Sequence, residues 1–181
     1  MSELLPPSDP WDEVVGQPDA VAQLRAAAAS PVHAYLIVGP EGSGKRAAAR
    51  AFAGDLLATG LDAAEAERAR RLAGAEAHPA MTVVEREGAS IAKEQADEVV
   101  RQSSLAPPEG DLQVIVLVDF HLVGVAAPKL LKSIEEPPPT TVFVVLAEEI
   151  TPELVTIASR CVQVDLASVP ERLLAARLVL D

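Results

Sequence analysis

The chain has 181 residues, enough for one aliphatic-cored domain or for one domain and the start of another. Hydrophobic residues make up 49%, charged residues 23% and aromatics only 3%, so the core must be built from Ala, Val and Leu. A net charge of −12 argues against an unaided grip on nucleic acid, and a single cysteine, Cys161, excludes a disulfide framework or a cysteine-rich zinc site.

The opening MSELLPPSDPWDE has neither a basic nor an apolar stretch of the signal-peptide kind, and no later run has the length of a membrane span. A cytoplasmic protein is expected. Residues 1–10 carry three prolines and are expected to wander. The spacing of Val21, Leu24 and Ala28 predicts a helix over Pro18–Ala29, stopped by Pro31. AYLIV, residues 34–38, is a continuous apolar run of the buried parallel-strand type. A glycine-rich turn at residues 39–45 and a helix through residues 47–58 follow. Residues 62–73 (DAAEAERARRLA) predict a solvated helix with mixed charges.

Further strands are expected at residues 81–84, 113–118, 142–146 and 161–164, with helices at 93–103, 125–135, 152–158 and 170–180. Pro107, Pro108 and the run Pro137 to Pro139 punctuate them. Strand and helix alternate throughout, which argues for a parallel sheet with helices on both faces. The sheet order does not follow from these residues.

Gly39-Pro40-Glu41-Gly42-Ser43-Gly44-Lys45 fits the first seven positions of the phosphate-loop pattern G-x-x-x-x-G-K-[ST], with a strand before it and a helix after it. Such a loop turns its backbone N–H groups inward, adds the positive end of the helix, and sends the lysine to the β/γ-phosphates. The eighth position should be a Mg²⁺-binding hydroxyl and is Arg46, which would repel a cation. QVIVLVDF places Asp119 after a buried strand, where phosphate-loop ATPases carry the aspartate that orients Mg²⁺. The following residue is Phe120, which cannot act as a base. Two readings of Asp119 stay open: the aspartate of the metal site, or a strand-end residue capping the next helix. His33, His78 and His121 have no matching catalytic partners and are assigned to structure or surface.

DPWDEVVGQPDAV, HAYLIVGPEGSGK, residues 127–138 (APKLLKSIEEPP) and residues 156–161 (TIASRC) together resemble the AAA+ clamp-loader subunits of bacterial DNA polymerase III, of delta-prime and gamma/tau type, over roughly residues 11–165. The resemblance implies an α/β phosphate-loop (AAA+) core of five parallel strands in the order 5-1-4-3-2, with a core at residues 11–167 and the start of a helical lid at 168–181. It implies that Arg160 is an arginine finger, reaching in trans to the γ-phosphate held by a neighbouring subunit. It also implies partners: gamma/tau and delta subunits directly, the sliding clamp and primed DNA indirectly, and no membrane.

Three departures place the chain with members that do not hydrolyse ATP: Arg46, Phe120, and Ala147-Glu148 where a polar phosphate sensor would stand. Gly39, Gly42, Gly44, Lys45, Arg46 and Asp119 then form a degenerate nucleotide site that requires no cofactor and holds ATP, ADP or phosphate weakly if at all. The alternative is an active gamma/tau-type ATPase. The family's zinc module has no counterpart, because residues 56–78 contain no cysteine. Leu173, Leu174, Leu178 and Leu180 read as an apolar helix face without its cover, as in a shortened chain. The acidity suits basic partner surfaces, or simply solubility.

Overall fold

A computed structural model describes residues 9–178. The wandering expected of residues 1–10 falls outside that part only as far as residue 8: Asp9 accepts from Trp11 N–H at 3.1 Å and Pro10 opens a 3₁₀ turn, so those two residues are held in place. The side chain of Leu178, and Leu180, lie outside the described part. Five strands form one all-parallel sheet: β1 (Ala34–Val38), β2 (Met81–Val84), β3 (Gln113–Leu117), β4 (Thr141–Ala147) and β5 (Val162–Asp165). Their order is β2-β3-β4-β1-β5, the 5-1-4-3-2 arrangement. The register is fixed by pairs such as Leu36↔Val145, Ile115↔Phe143, Val83↔Val116 and Ile37↔Val164.

The strand sequences are apolar on both sides because both faces are covered. Alternate residues leave the sheet in opposite directions. Tyr35, Ile37, Val114, Val116, Val144 and Leu146 enter one core with helices α1 (Pro18–Ala29), α2 (Lys45–Ala58) and α3 (Ala63–Gly74). Leu36, Ile115, Leu117, Phe143 and Val145 enter the other, with α4 (Lys93–Ser103), α5 (Ala127–Glu135) and α6 (Pro152–Ala158). A last helix, α7 (Glu171–Leu178), follows β5. Leu173 and Leu174 on it are both 40% exposed. Among the described residues no helix is long and apolar enough to cross a membrane.

The helix expected to be solvated, α3, is more integrated than its charges suggest. Ala66, Ala69 and Ala73 are buried, and they sit on α2. Gly54 favours this: a Cβ there would come within 3.1 Å of Arg70 Cα, and the helices would have to move apart by a few tenths of an ångström. An all-alanine face leaves a weak hydrophobic signal in the sequence, which is why charge dominated the expectation.

Two polar plugs position the loops. Buried Gln17 donates to the carbonyls of Ser43 (3.1 Å) and Ala167 (2.6 Å) and accepts from Ala167 N–H (3.0 Å). It ties the approach to α1 to the glycine-rich loop and to the exit of β5. At the opposite end, buried Gln113 donates to Leu105 O (2.9 Å) and Thr141 Oγ1 (3.0 Å), closing the end of α4.

Candidate functional site

The glycine-rich loop leaves β1 and enters α2 as its sequence requires. Gly42 and Gly44 have φ of 75° and 92°, in the left-handed region that glycine reaches without strain. Gly39 is needed for space instead: a Cβ would lie 2.6 Å from Ser43 Oγ and 2.9 Å from Leu166 O. Its N–H donates to Ala147 O at 3.1 Å, joining the loop to the end of β4. Lys45 folds back on the loop. Its Nζ donates to Gly39 O (2.6 Å) and Pro40 O (2.9 Å). Burial pushes its pKa down, against the pull of Glu148, Asp119 and Glu41.

Arg46, at the position of the missing metal ligand, is held on every nitrogen. Nε and Nη2 donate to the two carboxylate oxygens of Glu76, each at 2.6 Å, and Nη1 donates to Glu85. The bidentate geometry is the strong one for guanidinium and carboxylate. The Glu76 hydrogen bonds, joined by Glu85, raise the Arg46 pKa, and Arg46 in turn holds the Glu76 carboxyl below its ordinary range.

Glu76 reaches this position at a conformational cost. It has φ of 54°, and its N–H bonds Ala73 O (3.0 Å) while that of Ala77 bonds Leu72 O (2.8 Å). That is the Schellman ending of α3, whose left-handed position normally takes glycine. A glutamate stands there, and it grips Arg46.

The loop opens onto a cleft of about 700 Å³ that Lys45, Arg46, Arg86, Glu41, Asp119, His121 and Glu148 help to line. Asp119 follows β3 with φ of 51° and no side-chain capping bond. The capping reading therefore fails, and its carboxylate lies 4.0 Å from Arg86 Nε. Phe120, in the place of a base, is fully buried in the core on the α4–α6 face. Ala147 is core, and Glu148 behind it donates its N–H to His121 Nδ1 at 3.2 Å. In the lining, Lys45, Arg46 and Arg86 stand against Glu41, Asp119 and Glu148, and Glu76 and Glu85 add further negative charge behind Arg46. The chemistry of this donor set does not fit a Mg²⁺-bound triphosphate: the residue at the metal-ligand position is a cation, and that cation is already saturated by carboxylates.

Arg160 belongs to another part of the molecule. It precedes β5, whereas the loop follows β1, and the two strands run parallel with Tyr35 opposite Val162. The two sites thus lie at opposite ends of neighbouring strands, about 20 Å apart along the strand direction. Arg160 cannot act on its own chain's loop. It sits in a notch between the ends of α5 and α6, its side chain 55% exposed. Nη1 donates to Glu135 Oε1 (3.0 Å) and Thr156 O (3.1 Å). Cys161 beside it is partly buried, and burial, with the Glu135 charge, pushes its thiol up to about 11.

The fold thus gathers Gly42, Gly44, Lys45, Arg46 and Asp119 around one cleft, with Gly39 joined to it through Lys45, and sets Arg160 apart. Residue spacing did not reveal Gln17, Glu76, Glu85 or Arg86. Gly74 is the residue a sequence reading would choose for the left-handed helix ending, yet it is the last helical residue, and Glu76 takes that role. Among the described residues no cluster of His, Cys, Asp and Glu could hold a metal ion. His78 is buried, with Nδ1 accepting from Ala80 N–H at 3.0 Å.

Known proteins share this fold and parts of this sequence. A solved structure of a DNA polymerase III gamma subunit-related protein from Thermotoga maritima overlays with a TM-score of 0.62, at 18% identity, over 85% of this chain and 47% of that one. The delta' subunit of DNA polymerase III from Pseudomonas aeruginosa is 38% identical over 141 residues, which is 75% of this chain and 43% of that protein. The Bacillus subtilis delta' subunit is 32% identical over 132 residues, 71% of this chain and 40% of that one. The gamma/tau subunit of Mycobacterium tuberculosis is 32% identical over 178 residues, 92% of this chain and 30% of its own length. The chain thus spans less than half the length of these relatives. The model of the family described as "DNA polymerase III, delta subunit" matches residues 16–170. With most of its length inside that match, this chain belongs to the DNA polymerase III delta-subunit family.

Proposed function

We propose that this chain is a delta-prime-type clamp-loader subunit of DNA replication that does not hydrolyse ATP and offers Arg160 to an ATPase subunit beside it. The observation that carries this reading is the state of Arg46. A loop that worked with Mg²⁺ and ATP would leave its metal-ligand position open to the cation, and here that position is closed by Glu76 and Glu85. Family membership supplies the context, since the relatives are delta' and gamma/tau subunits of DNA polymerase III.

In this role the direct partners are gamma/tau and delta subunits, and contact with the sliding clamp and primed DNA runs through them. The chain works in the cytoplasm with no zinc and no required cofactor. Phosphate or ADP, if taken up at all, would meet only Lys45 and the loop N–H groups. Arg160 would approach the γ-phosphate bound by the neighbour, where an arginine supplied in trans is worth roughly 10³–10⁵ in turnover.

Calorimetric titration with ATP and ADP, with and without Mg²⁺, tests the first half. No Mg²⁺-dependent binding is expected. Turnover that disappears with Lys45→Ala would replace this reading with the gamma/tau-type ATPase. Arg160→Ala in the assembled complex tests the second half, and an unchanged ATPase rate would remove the finger.

A further inference from the structure

Glu135 is the last residue of α5, at the negative end of the helix dipole, where a carboxylate is unfavourable. Its placement is firm. Leu130 and Ile134 of α5 are fully buried, and the proline run beginning at Pro137 ends the helix directly afterwards. Across the notch, Arg160 is fixed at the backbone, because its N–H and that of Cys161 both bond Ile157 O at 2.8 Å. Between these two anchors, Glu135 Oε1 accepts from Arg160 Nη1 at 3.0 Å, and Thr156 O accepts from the same nitrogen at 3.1 Å.

The choice of nitrogen matters. Both contacts fall on Nη1, and among the described residues nothing pairs with Nε or Nη2. The Nε–Nη2 edge is one of the forks with which a guanidinium grips phosphate oxygens in bidentate fashion. A carboxylate in bidentate contact occupies a fork edge itself, as Glu76 does on Arg46. Glu135 instead takes the remaining nitrogen.

We propose that Glu135 is a positioning residue for Arg160. It holds the guanidinium by Nη1 so that the Nε–Nη2 edge faces outward, ready for a phosphate on an adjoining subunit. This rests on the reading of Arg160 as a finger in trans. A long side chain released from the notch would spread over many rotamers, and fewer encounters would present the correct edge.

The test uses the complete clamp-loader assembly with ATP as the probe, comparing Glu135→Gln, Arg160→Ala and the double variant. Glu135→Gln is expected to lower kcat roughly threefold to fivefold, the size of a half-exposed ion pair. KM for ATP and co-elution of the subunits in gel filtration should not change. In the Arg160→Ala background, Glu135→Gln should have no further effect. Glu135→Asp, which keeps the charge but falls short of Nη1, should lower kcat in the same direction and serves if the glutamine variant does not assemble. An unchanged or raised kcat in both Glu135 variants, with Arg160→Ala impaired, overturns the positioning role and leaves the finger standing. An equal loss in the Arg160→Ala background also overturns it, because the effect is then structural. An Arg160→Ala complex at full rate removes the finger itself.

Discussion

Arg46 and Arg160 are the same side chain put to opposite uses. Arg46 donates from Nε, Nη1 and Nη2 to Glu76 and Glu85, while Arg160 is held by Nη1 alone and is 55% exposed. The first guanidinium is consumed within the chain, and the second keeps a fork edge for something outside it. The difference teaches that two arginines of one fold meet different fates: the one at the loop is paired within the chain, and the one at the other end of the strands keeps two nitrogens without a partner among the described residues. Motif matching ranks the loop first, because the loop has the longer pattern.

The largest expected effect is on the exposed arginine. Arg160→Ala should cut turnover at the neighbouring ATP site by roughly 10³ or more, read as steady-state hydrolysis by the assembled complex. Lys45→Ala in this chain should leave that rate unchanged. Equal losses from both variants would erase the contrast between the two regions.

Next comes the thiol in the same notch. Cys161 has its pKa raised from 9.0 to about 11, so its thiolate fraction near neutrality is about a hundredfold lower. Labelling with a disulfide reagent at pH 8 should be slow in the folded chain and fast after denaturation. Glu135→Gln should speed it modestly, because Glu135 is the second contributor to the shift, after burial.

The clamp around Arg46 should show in stability rather than in activity. Arg46→Ala is expected to cost about 1 kcal/mol in urea unfolding, since Arg46 is 40% exposed and solvent screens the pair. It should not create ATP hydrolysis, because Phe120 and Ala147 remain buried apolar residues that can neither polarise a water nor sense a phosphate.

The smallest effect, and the sharpest, is at Glu76. Glycine there relieves a left-handed glutamate, a gain of about 1 kcal/mol, but loses the grip on Arg46. Near pH 7 the two should roughly cancel. Glu76 has a depressed folded pKa, so its contribution is complete above its ordinary value of 4.5 and is lost as pH falls through the folded value. Glu76→Gly should therefore become more stable than the parent chain in acid, measured by urea unfolding at pH 7 and pH 4. A variant less stable at both pH values would mean that the left-handed position carries no strain.

Much of the fold was legible in the residues themselves. The apolar runs at residues 34–38, 113–118 and 142–146 marked buried parallel strands, and observed β1, β3 and β4 differ from them by at most one residue at an end. The strand expected to start at Cys161 begins at Val162, because Cys161 N–H is spent closing the turn on Ile157 O. Gly42 and Gly44 announced their left-handed turns, since few other residues tolerate them. Asp119 stayed ambiguous because a carboxylate after a strand reads alike as metal ligand or cap, and only its dihedral angles and absent capping bond decide.

Periodicity, punctuation and residue chemistry by themselves determined the alternation of strand and helix, the placing of the loop, and that Arg46 and Phe120 stand where the resemblance expects a metal ligand and a base. These are local properties, fixed by side chains and backbone preferences within a few residues. Tertiary structure alone decided which charges meet: Arg46 with Glu76 across 30 positions and with Glu85 across 39, and Arg160 with Glu135 across 25. Such pairings depend on how elements cross the sheet, and an ion pair leaves no periodic trace in the chain that forms it.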